Sequence, residues 1–178
     1  MRTVGIDYSL SSPCICIHSG TEFNISNCSF HYLTSTKKYE GTNGIFNGIL
    51  HTDFTSDEQR YAAITTWVLE LLQEGDVICI EGYSMASTGR VFNIAENAGL
   101  LKHYLWKHRF KFSVVPPTVI KKFATGKGNA NKEKLQDAFV EETGVNIKKI
   151  LNMTDKQWNP SSDIIDAYYL CKYGAKNV

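Results

Sequence analysis

Apolar and polar positions alternate with period two at the start of the chain and with a helical period further on, so the pattern separates strands from helices. Arg2–Asp7 is a β-branched run that predicts a first strand, followed by a turn at Ser9–Pro13. Cys14–His18 alternates as a second strand, Gly20-Thr21 marks the return, and Cys28–Leu33 fits a third, giving an antiparallel meander. Residues 34–55 are polar and rich in Gly and Asn, and read as a mobile loop. Thr55 and Glu58 match the capping box Thr-x-x-Glu. The helix that follows sets Tyr61, Ile64, Val68, Leu71 and Leu72 on one face before Gly75 stops it.

Val77–Glu81 is a solidly apolar strand that ends in an acid, and Gly82–Arg90 is a loop of small residues. An amphipathic helix runs from about Phe92 to His108, with Ile94, Ala98, Leu101 and Leu105 in one stripe. Phe112–Val115 is a strand stopped by Pro116-Pro117. A short helix then ends at Gly126, and Lys127–Ala130 is a basic loop. Asn131 caps a helix over Lys132–Thr143, and Asn159-Pro160 offers an N-cap and an N1 proline for a last helix to about Lys172. Together these predict one α/β domain over residues 1–178. Its mixed five-stranded sheet has three antiparallel strands, then parallel ones, and is flanked by helices.

Composition narrows the class. The 178 residues are 43% hydrophobic, enough for a sizeable core, yet no apolar run is long enough to span a membrane and the start lacks a signal-peptide stretch. An intracellular, cytoplasmic protein is expected. The five cysteines are scattered, odd in number and without a CxxC pair, so they read as buried structural thiols. Net charge is only +1, but residues 102–149 carry eleven Lys/Arg against four Asp/Glu, a local +7 that leaves −6 elsewhere. That division suits a protein meeting phosphate with one surface and metal with another.

Four acids sit where chemistry is expected. Asp7 ends the first strand and Glu81 the fourth; if those strands are neighbours, both carboxylates emerge at one sheet edge. Asp163 and Asp166, three apart at the start of the last helix, share a helix face. Singly, each has a plainer reading: a turn residue, a strand end, a charge at a helix N-terminus. Converged, four carboxylates are tolerable only if cations neutralise them, and an all-oxygen set selects Mg²⁺ or Mn²⁺. Two such ions are the usual apparatus of phosphodiester hydrolysis.

With these residues in view, the chain resembles the RuvC family of Holliday junction resolvases, within the RNase H-like superfamily. Val-Gly-Ile-Asp-Tyr-Ser at 4–9 is similar to the family's first-strand motif, and Ile-Cys-Ile-Glu-Gly at 78–82 to the strand with the second acid. Asp163-Ile-Ile-Asp166-Ala-Tyr-Tyr-Leu is similar to the closing Asp-x-x-Asp motif. Asn93–Leu101 resembles the helix that pairs two subunits, and 116–134, with Thr-Gly-Lys-Gly-Asn-Ala-Asn-Lys-Glu, the family's basic loop. The departures are Asp-Tyr-Ser-Leu-Ser-Ser in place of Asp-Pro-Gly, the divergent 34–55, and Gly82-Tyr83-Ser84-Met85 after the second acid. They resemble phage-borne or otherwise diverged members.

The resemblance implies an RNase H-like fold and a crossover junction endonuclease. Two Mg²⁺ ions, replaceable by Mn²⁺, would be held by Asp7, Glu81, Asp163 and Asp166. It further implies phosphate contacts from Lys121, Lys122, Lys127 and Lys132, and Tyr83, with Phe92 behind it, as the residue wedging into a four-way junction. A homodimer is expected through helix 92–108, to make symmetric paired cuts. The alternatives are a broader nuclease of forks, flaps or three-way branches and a non-catalytic DNA-binding module. A kinase-like or sugar-binding actin-like fold would need phosphate-loop glycines that Ser9–Pro13 does not supply.

Overall fold

The computed structural model describes residues 1–83 and 91–177. The expected loop Gly82–Arg90 therefore lies largely outside the described residues. The strands are β1 (Arg2–Asp7), β2 (Cys14–Ser19), β3 (Cys28–Thr34), β4 (Gly41–Asn43), β5 (Phe46–Leu50), β6 (Val77–Glu81) and β7 (Lys111–Val115). The helices are α1 (Asp57–Leu71), α2 (Val91–Lys107), α3 (Pro117–Thr125), α4 (Lys132–Thr143), α5 (Ile147–Ile150) and α6 (Ser161–Lys176). The strands form one sheet in the order β4-β5-β3-β2-β1-β6-β7. β1, β2 and β3 are antiparallel as expected, and β1, β6 and β7 are parallel.

The sheet has two strands more than the pattern predicts, and both come from the segment expected to be a mobile loop. β5 runs parallel to β3, and β4 folds back on β5. Packing accounts for it: Phe46 is buried and its ring stacks on Phe30 at 5.1 Å. Gly48 is required by close approach, since a Cβ there would lie 2.0 Å from the Tyr39 carbonyl oxygen and 2.8 Å from the Tyr32 ring. What looked like loop glycine is a packing glycine.

Side chains alternate across the central strands and divide the core in two. Val4, Ile6, Ile15, Ile17, Ile78 and Ile80 face α1 and α2. Cys14, Cys16 and Cys79 face the α3–α6 layer, with Phe139, Ile164 and Leu170. All five cysteines are free and buried, as the sequence suggests. The α2 stripe belongs to the first of these cores. Leu101 and Leu105 are completely buried and Ala98 packs beside them, so the stripe expected to form a dimer face binds its own sheet.

Two caps differ from expectation by a residue or two. Ser56, not Thr55, caps α1 by accepting from the Gln59 N–H, while Gln59 reaches back to the Thr55 N–H. α6 begins at Ser161 with Pro160 at the N-cap, which leaves the Asn159 side chain for another task. Asn131 caps α4 as expected, accepting from the Lys134 N–H. Among the described residues no helix is long and apolar enough to cross a membrane.

Candidate active site

The site is built on the central strand. In β1, Thr3, Gly5 and Asp7 alternate with the core residues Val4 and Ile6, so they face α6. Gly5 allows that helix to lie directly on the strand: a Cβ there would meet the Ala167 carbonyl oxygen and the Cys171 nitrogen at 2.3 Å. Gly174 repeats the device two turns on, where a Cβ would come within 2.9 Å of Cys79 Sγ. The first two turns of α6, with Asp163 and Asp166, are thus held above the end of β1. The parallel register Ile6↔Ile80 sets Glu81 beside Asp7 one residue further along. All four sequence-predicted acids are brought to the same sheet edge.

The acids act on one another. Burial raises the proton affinity of Asp7 well above the ordinary carboxylate range, and the charges of Glu81, Asp163 and Asp166 raise it further. Burial likewise pushes Glu81 up to about 7, against the pull of the Lys121 ammonium, with Asp163 adding to the rise. Asp163 is raised to about 6 by burial, although hydrogen bonding by Ser12 and the Lys132 charge oppose it. Asp166 is raised by burial and by Glu81 and Asp163, with Lys121 and Lys132 opposing. Asp7 and Asp163 therefore bear on each other's protonation, Asp163 adding to the rise at Asp7.

A chain of polar side chains holds Asp163 from behind. The Ser12 hydroxyl donates to Asp163 Oδ2 at 2.6 Å, and the Asn159 amide donates to the Ser12 oxygen at 2.6 Å. Asn159 in turn accepts from Ser162, whose hydroxyl lies 3.4 Å from the Lys132 ammonium. Ser12 and Asn159 are neighbours of the acids that the sequence did not reveal. One read as a turn residue and the other as a helix cap, and only the contact across 147 residues joins them.

The expected basic residues separate into two groups. Lys121 and Lys132 act electrostatically on the acids. Lys122 and Lys127 are exposed, Lys122 in the last turn of α3 and Lys127 just past its Gly126 cap. Tyr83, 43% exposed, lies at a cleft of about 390 Å³ that also takes in Asp7, Tyr8, Leu10, Arg60 and Glu81. The Lys102 ammonium sits 5.5 Å from the centre of its ring. Phe92 stands 81% exposed at the start of α2.

The donors suit a hard divalent cation: four carboxyls, mutually repelling, all oxygen, with no thiol or imidazole among them. Among the described residues no three His, Cys, Asp or Glu side chains already converge on one point as a finished metal shell. The residues fit such a cation chemically, and its charge would relieve the repulsion between them.

No family model matches the sequence, and no curated protein is similar to it at sequence level. Solved structures are similar in fold. Thermus thermophilus RuvC superposes with a TM-score of 0.58 at 14% identity, over 96% of this chain and 91% of the other. T. thermophilus RuvC in complex with Holliday junction substrate gives 0.57 at 12% identity, over 96% and 90%. Fowlpox virus resolvase in complex with Holliday junction DNA gives 0.50 at 15% identity, over 99% and 97%. Despite that distance in sequence, the chain has the mixed α/β fold of these Holliday junction resolvases, with four acids gathered at one edge of its sheet.

Proposed function

We propose that this protein is a metal-dependent endonuclease that resolves four-way DNA junctions by paired cuts. The observation that carries the proposal is the gathering of Asp7 and Asp163, buried, with Glu81 and Asp166, partly buried, whose proton affinities are all raised by desolvation and whose charges oppose one another. Burying like charges so is costly, and a structural role alone gives no reason for it.

The four carboxylates would hold two Mg²⁺ ions, with Mn²⁺ able to substitute, and that pair would supply an activated water and charge relief at the leaving oxygen. Ser12 keeps Asp163 oriented toward them through its hydroxyl. Lys121 and Lys132, beside the acids, hold the phosphate being cut and offset its charge. Lys122 and Lys127 grip flanking phosphates without reading sequence. Tyr83, at the lip of the cleft, is the residue that would prise a base step open at the branch.

Paired cuts need two sites of matched geometry. The homodimer is proposed through α2, by the face turned away from the sheet. Phe92, Glu96, Gly99, His103 and Trp106 are all exposed and recur every three or four residues, which makes a continuous stripe. Phe92 is 81% and Trp106 72% exposed, and Gly99 would let two backbones approach.

The test is cleavage of a synthetic four-way junction beside a fork and a linear duplex, with Mg²⁺, with Mn²⁺ and with chelator. Symmetric cuts in the junction that need metal and disappear in Asp7→Asn, with junction binding retained, support the proposal. Cleavage by Asp7→Asn at the wild-type rate would refute it.

A further inference from the structure

The acids and their lysines lie on the α3–α6 side of the sheet, but the cleft at the strand ends is open to the other layer as well. There α1 delivers one cation, Arg60. Among the described residues no carboxylate lies within ion-pair distance of it, and residues 84–90 contain neither Asp nor Glu. The guanidinium is nonetheless fixed. One terminal nitrogen donates to the Leu10 carbonyl oxygen at 2.7 Å, and the group lies 4.8 Å from the centre of the Phe54 ring. Its Nε is buried without a hydrogen-bond partner among the described residues. An oriented cation without a carboxylate partner among the described residues, at the rim of an acidic cleft, is suited to a ligand that brings negative charge and oxygen acceptors.

We infer that Arg60 is a phosphate contact for the DNA strand on the α1 side of the acids, opposite the lysines of α3 and α4. The inference rests on the nuclease reading above. The planar fork of a guanidinium matches two phosphate oxygens, and anchoring on Leu10 and Phe54 lowers the cost of ordering it. A strand held by Lys121 and Lys132 from one layer and by Arg60 from the other would be fixed across the cleft rather than along one wall.

The plainer role is to staple the β1–β2 turn, and a second residue separates the two. His51 also holds that turn, through Nε2 and the Ser11 carbonyl oxygen at 2.9 Å. Burial lowers its pKa from the ordinary histidine value, with the Ser11 hydrogen bond opposing and Arg60 adding, so the ring is uncharged in an assay at pH 8. His51→Ala removes a staple without removing a charge.

The experiment measures affinity of wild type, Arg60→Ala and His51→Ala for a four-way junction against salt concentration, in chelator, with melting temperatures alongside. If Arg60 meets phosphate, Arg60→Ala lowers the salt slope by about 0.9 and His51→Ala leaves it unchanged. Equal slopes for wild type and Arg60→Ala overturn the inference and leave the nuclease reading standing. Equal slope changes in Arg60→Ala and His51→Ala overturn it in favour of the staple. Failure of the wild type to bind branched DNA overturns both readings. Should Arg60→Ala unfold, Arg60→Gln keeps an N–H for Leu10 without the charge and is read in the same way.

Discussion

Replacing Gly5 by Ala tests whether the seat of α6 determines the geometry of the acids. The new methyl carbon would lie 2.3 Å from both the Ala167 carbonyl oxygen and the Cys171 nitrogen, and 2.8 Å from the Cys171 Cα. All three are backbone atoms, so no side-chain rotation relieves the clash. Restoring a contact of 3.4 Å requires α6 to withdraw from β1 by roughly 1 Å. Overpacking of this kind costs about 1–3 kcal/mol. For a chain of this size each kcal/mol lowers the melting temperature by about 2–4 °C, so a fall of about 2–12 °C is expected. The same 1 Å moves Asp163 and Asp166 away from Asp7, a misplacement that can cost about 100-fold in rate. Calorimetry and single-turnover cleavage of a four-way junction measure the two effects, and junction binding should persist because the lysines lie on α3 and α4. A Gly5→Ala protein that melts and cleaves like wild type would show that α6 is not seated on Gly5 as described.

Three further outcomes are expected. Asp7, Glu81, Asp163 and Asp166 all bind protons more tightly folded than unfolded, so their stabilising contribution is present below about pH 4 and is lost as pH rises through the folded values, about 6 for Asp163 and about 7 for Glu81. In chelator, Asp7→Asn should therefore melt above wild type at pH 8 and converge with it towards pH 4; a constant difference across that range would disprove the coupling. Ser12→Ala removes the hydroxyl donor to Asp163 and should weaken Mn²⁺ affinity by about 10–100-fold, followed by titration in the absence of DNA. Trp106→Asp should give a folded monomer by sedimentation, whereas Leu101→Asp, which buries a charge in the α1–α2 core, should fail to fold; a folded monomer from Leu101→Asp instead would return the dimer face to the buried stripe.

The central strands and the four acids were legible because each carries its own local signal. Arg2–Asp7 and Val77–Glu81 are apolar runs that end in a carboxylate, and Asp163 and Asp166 are a helical turn apart. Three features were not legible, for one physical reason: their meaning depends on distant partners. Gly48 reads as a loop residue until the Tyr32 ring and the Tyr39 carbonyl are set against it. The stripe Ile94, Ala98, Leu101 and Leu105 is equally apolar whether it meets another subunit or its own sheet, and periodicity cannot tell the two apart. Asn159 precedes a proline at a helix start, so it reads as a cap, yet its amide serves a serine 147 residues earlier.

The bond from Ser12 to Asp163 joins residues 151 positions apart, and α6 covers β1. During synthesis β1 is made well before α6, and its α6-facing side stays uncovered until that helix follows. Asp163 and Asp166 therefore join Asp7 and Glu81 only once α6 has been made and seated. Contacts of such long sequence separation make folding slow and leave the face of β1 beneath α6 exposed meanwhile. They also mean that a prematurely terminated chain, missing α6, holds only two of its four acids. For a proposed nuclease, cutting activity then arises only in molecules that have finished folding.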